Sequence, residues 1–368
     1  MTRGKEEHSP ELSIDAAVSK LIAAQRDDID TERITAALDR ATGDAALVIQ
    51  RELERRIPSM LADHRRLKAS FHGRLRRTWG KALNLHYAVV TASREFGNNL
   101  VNENPTSPTG DDRMVLESLA DLHAQACRVA LEVHALLDNG LPVGARARAR
   151  TLHELAITAC VIAENAGDTD VTIRYRDHQV VDQAKDAEVY QLHYATLGEE
   201  PLDSLETEKI FARRDEVIAH YGPAFSGQYG WAAELLGTKS PTFAALERQA
   251  GLAHLRPFYR WACHAVHAGS RGTALNTVVF RGERLRLAGY TNAGLADPGH
   301  QSLISLQQTT AALVGRRTHV PTLDHLIQVR ALMALTERAG EEFLRAHQRV
   351  EALERRYLAR AVADAPDG

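Results

Sequence analysis

The stretch ARARARTLHELAITACVIAENAG, residues 145–167, predicts a helix in which apolar residues recur among charged ones. The residues before it predict a second long helix, which Asp111 or Asp112 can cap at its start. Asn139-Gly140 supplies the stop signal between the two helices. The connection is short, so the sequence predicts an antiparallel helix pair at the centre of the fold.

Outward from this pair, amphipathic periodicity predicts helices over most of the chain. We expect a mainly all-α fold, a multi-helix bundle with one small β-hairpin near residues 277–288. The predicted organisation is an N-terminal helical arm at 1–100, a linker at 101–112, a helical core domain at 113–315 and a long C-terminal helix at 322–360. The linker prediction rests on two prolines and a glycine in a stretch without apolar periodicity.

Composition and cysteine usage suggest where the protein works. The chain has 368 residues, of which 44% are hydrophobic, and a formal net charge of −3, so no global attraction to nucleic acid is visible. Its three cysteines are widely spaced and include no C-x-x-C pair, which argues against a disulfide framework. The N-terminus lacks the apolar region of a signal peptide, and no apolar run is long enough to cross a membrane. We therefore expect a cytoplasmic protein with no membrane partner.

One local stretch departs from this charge balance. Between Arg51 and Lys81 there are ten Lys or Arg residues and only three acids, Glu52, Glu54 and Asp63. Such a stretch could follow the phosphates of a nucleic acid. The simpler interpretation, which we favour, is a solvated helix face whose acidic partners lie elsewhere in the fold.

Two predicted helices carry polar side chains grouped on one side. On the first, Arg150, His153 and Glu154 have the i, i+3 and i+4 spacing that places them together. The second is YRWACHAVHAG at residues 259–269, which aligns one arginine with two histidines. These residues are Arg260, His264 and His267. Tyr259 belongs to a neighbouring stripe, and Gly269 is expected to end the helix just after its last turn.

Arg260 and His267 form an R-x6-H pattern, which resembles the R-x(4–6)-H motif of the HEPN ribonuclease superfamily. The resemblance implies an all-helical, commonly dimeric protein that cleaves RNA without a metal ion. It also implies that Arg260 holds the scissile phosphate and that His267 is the general acid or base. Arg150 and Glu154 are then further candidate catalytic residues, with Tyr259, His264 and His153 in support.

A broader resemblance covers about residues 113–315. The blocks that carry it are RARTLHELAITACVIAE, IRYRDHQVVDQAK, RRDEVIAHYG, YGWAAELL, LRPFYRWACHAVHAG and NAGLADPGH. Together and in this order they resemble the bacterial family named domain of unknown function 5677. The resemblance implies a cytoplasmic, mainly helical bacterial protein and no established activity.

Three functions therefore stand as hypotheses. The first is the metal-independent ribonuclease, a toxin or phage-defence effector, with RNA and a second copy of the chain as partners and no cofactor. The second is a metal-dependent enzyme with His153, Glu154, His264 and His267 as ligands of zinc or iron, and with His178, Asp297 and His300 in reserve. The third is a non-catalytic helical interaction protein, in which the polar cluster is structural.

Overall fold

The computed structural model describes residues 31–102, 111–167, 169–274, 277–280, 283–317 and 320–363. Most of these residues are helical, and the predicted all-α, multi-helix fold is confirmed. The first 30 residues of the predicted arm and residues 103–110 of the predicted linker lie outside the described residues. The chain divides into two compact units, Met1–Ser70 and Phe71–Gly368.

The helices are α1 (Thr31–Asn102), α2 (Asp111–Asp138), α3 (Pro142–Glu164), α4 (Thr169–Asp177), α5 (Gln179–Leu197), α6 (Ser204–Tyr221), α7 (Phe243–Gln249), α8 (Arg256–Val266), α9 (Ser270–Ala274), α10 (Ala296–Val314) and α11 (Leu323–Ala363). Two short strands, β1 (Thr277–Phe280) and β2 (Glu283–Arg286), pair antiparallel with Val278 opposite Leu285. None of the helices within the described ranges is both long and apolar enough to cross a membrane.

Helix α3 is the centre of the second unit and packs against both α2 and α10. It starts with Pro142 in its first turn, where the missing N–H of proline has no helical partner to lose. Alanines occupy several of its buried positions, Ala149 and Ala156 among them, and their small side chains allow neighbouring helices to approach closely. Leu152 is fully buried against α2 and α10, and Ile157 is fully buried against the shorter helices that follow α3.

The turn between α2 and α3 has the predicted stop signal. Gly140 has a φ of 68°, a left-handed conformation that favours glycine. A Cβ atom at Gly140 would lie 2.5 Å from Cζ of Phe71, so a larger residue would also clash. The N–H of Leu141 donates to the carbonyl of Leu136 at 2.8 Å, which closes the end of α2. The predicted antiparallel pair is therefore present.

The two units each contain part of α1, and the burial of that helix differs between them. Within the first unit, Leu53, Met60 and Leu67 are all exposed. Within the second unit, Leu75 and Trp79 are fully buried, and the indole N–H of Trp79 donates to the carbonyl of Asn292 at 3.0 Å. Residues 71–100, which the sequence analysis assigns to the arm, thus contribute core side chains to the second unit.

Helices α10 and α11 approach each other closely because each has a glycine at the contact. A Cβ atom at Gly299 would lie 2.4 Å from Cζ of Phe343, and one at Gly340 would lie 2.4 Å from Nε2 of His300. Phe343 is fully buried as a result. The shorter helices α4 to α7 surround a separate apolar cluster that includes Phe225, Trp231 and Phe243.

Candidate functional site

Helix α8 presents different side chains to α3 and to solvent. It packs against α3, so the two helices that carry the candidate residues are in contact. Ala262 is only 2% exposed on the inner side, and Tyr259 is half-buried there. Arg260 and Trp261 are exposed on the outer side. The helix therefore has one face fixed in the fold and one face open to solvent.

Tyr259 joins α8 to the two charged residues of α3. The Nη2 of Arg150 donates to the hydroxyl oxygen of Tyr259 at 3.0 Å, and that hydroxyl donates to Oε1 of Glu154 at 2.8 Å. Arg150 and Glu154 also form a direct ion pair at 2.9 Å. Burial, opposed by Arg150 and reinforced by Glu154, raises the pKa of Tyr259 well above its ordinary value. The hydroxyl thus stays protonated and bridges the two charges.

His153 has a different partner from the one that its sequence neighbours suggest. Its Nε2 lies 3.1 Å from Oε1 of Glu247 in α7, and Glu247 is fully buried. Arg256 donates to the other carboxylate oxygen of Glu247. Burial lowers the pKa of His153 although Glu247 opposes the shift, so the ring is neutral near pH 7 and donates its proton to the carboxylate.

We call these six residues the inner network: Arg150, His153, Glu154, Glu247, Arg256 and Tyr259. Sequence reasoning missed Glu247 and Arg256. The available signal for Glu247 was weak, a single acid in the short helix FAALERQ. A buried carboxylate of this kind needs a charged partner, and only the fold supplies one.

The two residues of the R-x6-H pattern are exposed to solvent, Arg260 on the outer side of α8 and His267 just beyond its C-terminus. The sequence predicts a helix that ends at Gly269, with His267 in its last turn, but α8 ends at Val266. That prediction is wrong: His267 has extended backbone, with φ −100° and ψ 140°, and is exposed. The side chains of Arg260 and His267 form no hydrogen bond or ion pair with a described residue.

The residues around this end are basic and aromatic. From residue 248 to residue 282 the chain has five arginines and no acid. Phe258 and Trp261 are 37% and 49% exposed and contact each other edge to face, with ring centroids 5.5 Å apart. We call Phe258, Arg260, Trp261, His264 and His267 the α8 end. Its exposed guanidinium, imidazole and aromatic rings are the groups that can contact phosphates and bases.

The metal-site hypothesis does not fit this geometry. Within the described ranges, no three His, Cys, Asp or Glu side chains come together in a way that could hold a metal ion. His153 points to Glu247 instead of joining Glu154, His264 and His267. The proposed ligand set was wrong because the i, i+1 neighbours His153 and Glu154 bond to different helices, α7 and α8.

The reserve candidates also have separate roles. His178 is buried, and its Nε2 bonds the carbonyl of Gly227 at 2.8 Å. Asp297 and His300 lie in α10, beside a cavity that Arg150 also lines. Asp297 and His300 are therefore close to the inner network in space. His178 does not line this cavity.

Many cations of the basic stretch 51–81 already have acidic partners. In the first unit, Arg55 and Arg56 both bond Glu52, and Arg66 bonds Asp63. Arg55 and Arg56 lower the pKa of Glu52 to about 2, so this carboxylate is charged at neutral pH. In the second unit, the remaining examples pair with acids of other helices: Arg76 with Asp138, and Lys81 with Glu342. This pairing favours the solvated-face interpretation over a phosphate track.

Residues 117–282 match the family described as "Family of unknown function (DUF5677)". The match confirms the family resemblance for this segment, which includes the inner network and the α8 end. It covers less than half of the chain and assigns no activity. No curated protein and no solved structure matches the chain.

Proposed function

We propose that this chain is a metal-independent ribonuclease of the HEPN-like kind. Its residues 117–282 match a family of unknown function. Its active site would be the α8 end, with Arg260 on the scissile phosphate and His267 as general acid or base. A toxin or phage-defence effector is the role that such an activity would suit. The inner network would then hold α8 in place without contacting the scissile phosphate.

The observation that carries this proposal is the contrast in exposure along α8. The side chains of Arg260 and His267 are exposed and have no hydrogen-bond or ion-pair partner among the described residues, in a segment without any acid between residues 248 and 282. Exposed Trp261 and Phe258 lie beside them. Proteins that bind single-stranded nucleic acids commonly combine arginine with aromatic rings on which the bases stack. RNA is therefore the substrate class that this surface suits.

The proposed chemistry needs only proton transfer and charge stabilisation. An imidazole takes the proton of the ribose 2′-hydroxyl, and the 2′-oxygen forms a bond to phosphorus while the bond from phosphorus to the 5′-oxygen breaks. The leaving 5′-oxygen takes a proton from a second imidazole, and Arg260 offsets the charge on the phosphate oxygens. The second imidazole is His264 of the same helix or, as the superfamily resemblance implies, His267 of a second copy.

A homodimer is the assembly that we propose for this activity. Its support is the exposed apolar side chains in the last part of α11: Leu353, Tyr357 and Leu358 are 56%, 49% and 53% exposed. Such side chains on a long helix commonly mark a protein interface. The same observation favours the second candidate function, a non-catalytic helical interaction protein. A cytoplasmic setting fits both candidates, because Cys127, Cys160 and Cys263 are all free thiols.

Cleavage of single-stranded RNA in the presence of a chelator tests the proposal. Removal of a general acid or base typically lowers the rate by about 10²- to 10⁴-fold, so His267→Ala and Arg260→Ala should each nearly abolish cleavage. His193→Ala is the control, since His193 is exposed on α5 and no arginine precedes it at the R-x(4–6)-H spacing. Equal cleavage by all four proteins would overturn the assignment, and no cleavage by the unmodified chain would favour the interaction protein.

A further inference from the structure

A cavity of about 650 Å³ lies among four helices, α3, α8, α10 and α11. Each helix lines it with residues three and four positions apart, and thus with a single face. On α11 the lining residues include Glu337, Gly340, Glu341 and Leu344. Cavities that hold small molecules generally measure about 300 to 1,000 Å³, so this one has the size of a ligand site.

Part of the cavity wall is apolar. Its accessible apolar side chains are those of Phe258, Ile304 and Leu344, which are partly or largely exposed. A wall of this kind suits the hydrocarbon or aromatic body of a ligand, since binding there removes apolar surface from water.

Three carboxylates lie on another part of the wall: Asp297, Glu337 and Glu341. Asp297 is 4.0 Å from Arg146, at the limit of an ion pair, and Glu341 pairs with the exposed side chain of Arg345. Glu337 is exposed and forms no ion pair with a described residue. The first pair is at the distance limit and the second is exposed to solvent, so both contribute little and these carboxylates remain able to bind a cationic ligand.

The rest of the lining does not cancel this negative charge. Arg150 is the single Lys or Arg side chain in the lining, and it is already bonded within the inner network. Burial lowers the pKa of both His153 and His300, so these rings are neutral near pH 7. His347, the third lining histidine, lies 3.3 Å from Glu351. The cavity is therefore acidic as well as partly apolar.

We infer that this cavity binds a small organic cation, with an apolar or aromatic body against Phe258 and Leu344 and a protonated amine facing Asp297, Glu337 and Glu341. The inference goes beyond the ribonuclease proposal, because a polyanionic RNA backbone would be repelled by the same three carboxylates. The cavity and the α8 end are adjacent through α8, yet they select ligands of opposite charge.

Three small probes of similar shape test the charge preference: 2-phenylethylamine, 2-phenylethanol and phenylacetate. Binding to the full chain is measured by saturation-transfer NMR at neutral pH. The amine should bind most tightly and phenylacetate least. In a Glu337→Gln/Glu341→Gln double variant, amine affinity should fall on the order of tenfold, since two exposed charge contacts are lost, whereas alcohol affinity should not change.

Glu354→Gln is the matched control, because Glu354 is exposed on the same helix but does not line this cavity. It should bind the amine as the unmodified chain does. All substituted positions are exposed, so the variants should fold, and circular dichroism checks this. Preference for phenylacetate, absence of amine binding, or full amine affinity in the double variant would each overturn the inference. RNA cleavage by the double variant is a separate readout, so this inference and the proposed function can fail independently.

Discussion

The inner network and the α8 end share the short helix α8, but their polar side chains differ in whether they have partners within the protein. The hydroxyl of Tyr259 bonds both Arg150 and Glu154, whereas the side chain of Arg260, the next residue, is exposed and has no hydrogen-bond or ion-pair partner among the described residues. A buried polar group needs a partner to avoid a large desolvation cost, while an exposed one is hydrated and remains free for a ligand. The difference indicates that the inner network stabilises the fold and that the α8 end is available for function.

The largest expected effect is the loss of folding stability when Glu247 is removed from the inner network. Glu247→Ala leaves the buried His153 and the half-buried Arg256 without their carboxylate, and loss of one partner of a buried pair typically costs about 3–5 kcal/mol. Urea unfolding followed by circular dichroism measures this loss. Glu234→Ala is the control, because Glu234 is 70% exposed and its pair with Arg174 should contribute at most about 1 kcal/mol. Equal losses for both variants would contradict the structural role of the network.

A second, smaller effect is a pH dependence of folding stability that is caused by buried histidines and not by exposed ones. Burial, with a minor contribution from His134, lowers the pKa of His86 to about 3, and burial lowers that of His123 to about 4. In the unfolded chain both rings return to the ordinary value near 6.5, so the unfolded state binds more protons below that pH. Their contribution to stability is therefore complete above pH 6.5 and is lost as the pH falls towards 4 and 3.

Unfolding free energies at pH 7 and pH 5 check this expectation. Each buried histidine should contribute up to about 2 kcal/mol to the loss between these values. His123→Gln should lose less stability on acidification than the unmodified chain does. His254→Gln, which changes an exposed ring, should lose as much as the unmodified chain. A loss that is the same in all three proteins would mean that His123 does not resist protonation in the fold.

The smallest expected effect on stability concerns the α8 end. Trp261→Ala should lower the free energy of unfolding by less than about 1 kcal/mol, because its ring is half exposed and mainly contacts Phe258. The same change should weaken binding of a short single-stranded RNA at least about fivefold, measured by fluorescence anisotropy. Val266→Ala, an exposed apolar residue of the same helix, serves as the control. Unchanged RNA affinity with a large loss of stability would place Trp261 in the fold instead.

Local periodicity accounts for what could be predicted about the fold and the site. The spacing of Arg150 and Glu154 placed them on one side of α3, and the Asn139-Gly140 signal ended α2 where the structure ends it. Both depend on residues close together in the chain, where covalent geometry fixes the direction of each side chain. The C-terminal end of α8 was not predicted correctly, and His267 lies beyond the helix. The position of a helix end depends on what packs around it.

The sequence by itself therefore determined the helical class, the α2–α3 pair and the charged side of α3. Only the tertiary structure decided that His153 bonds Glu247, that Tyr259 bridges Arg150 and Glu154, and that three carboxylates of α10 and α11 share one cavity wall. These residues are distant in the chain, so no periodic spacing relates them. They meet because apolar burial fixes the packing of the helices, and that packing selects which polar groups are buried together and which remain in water.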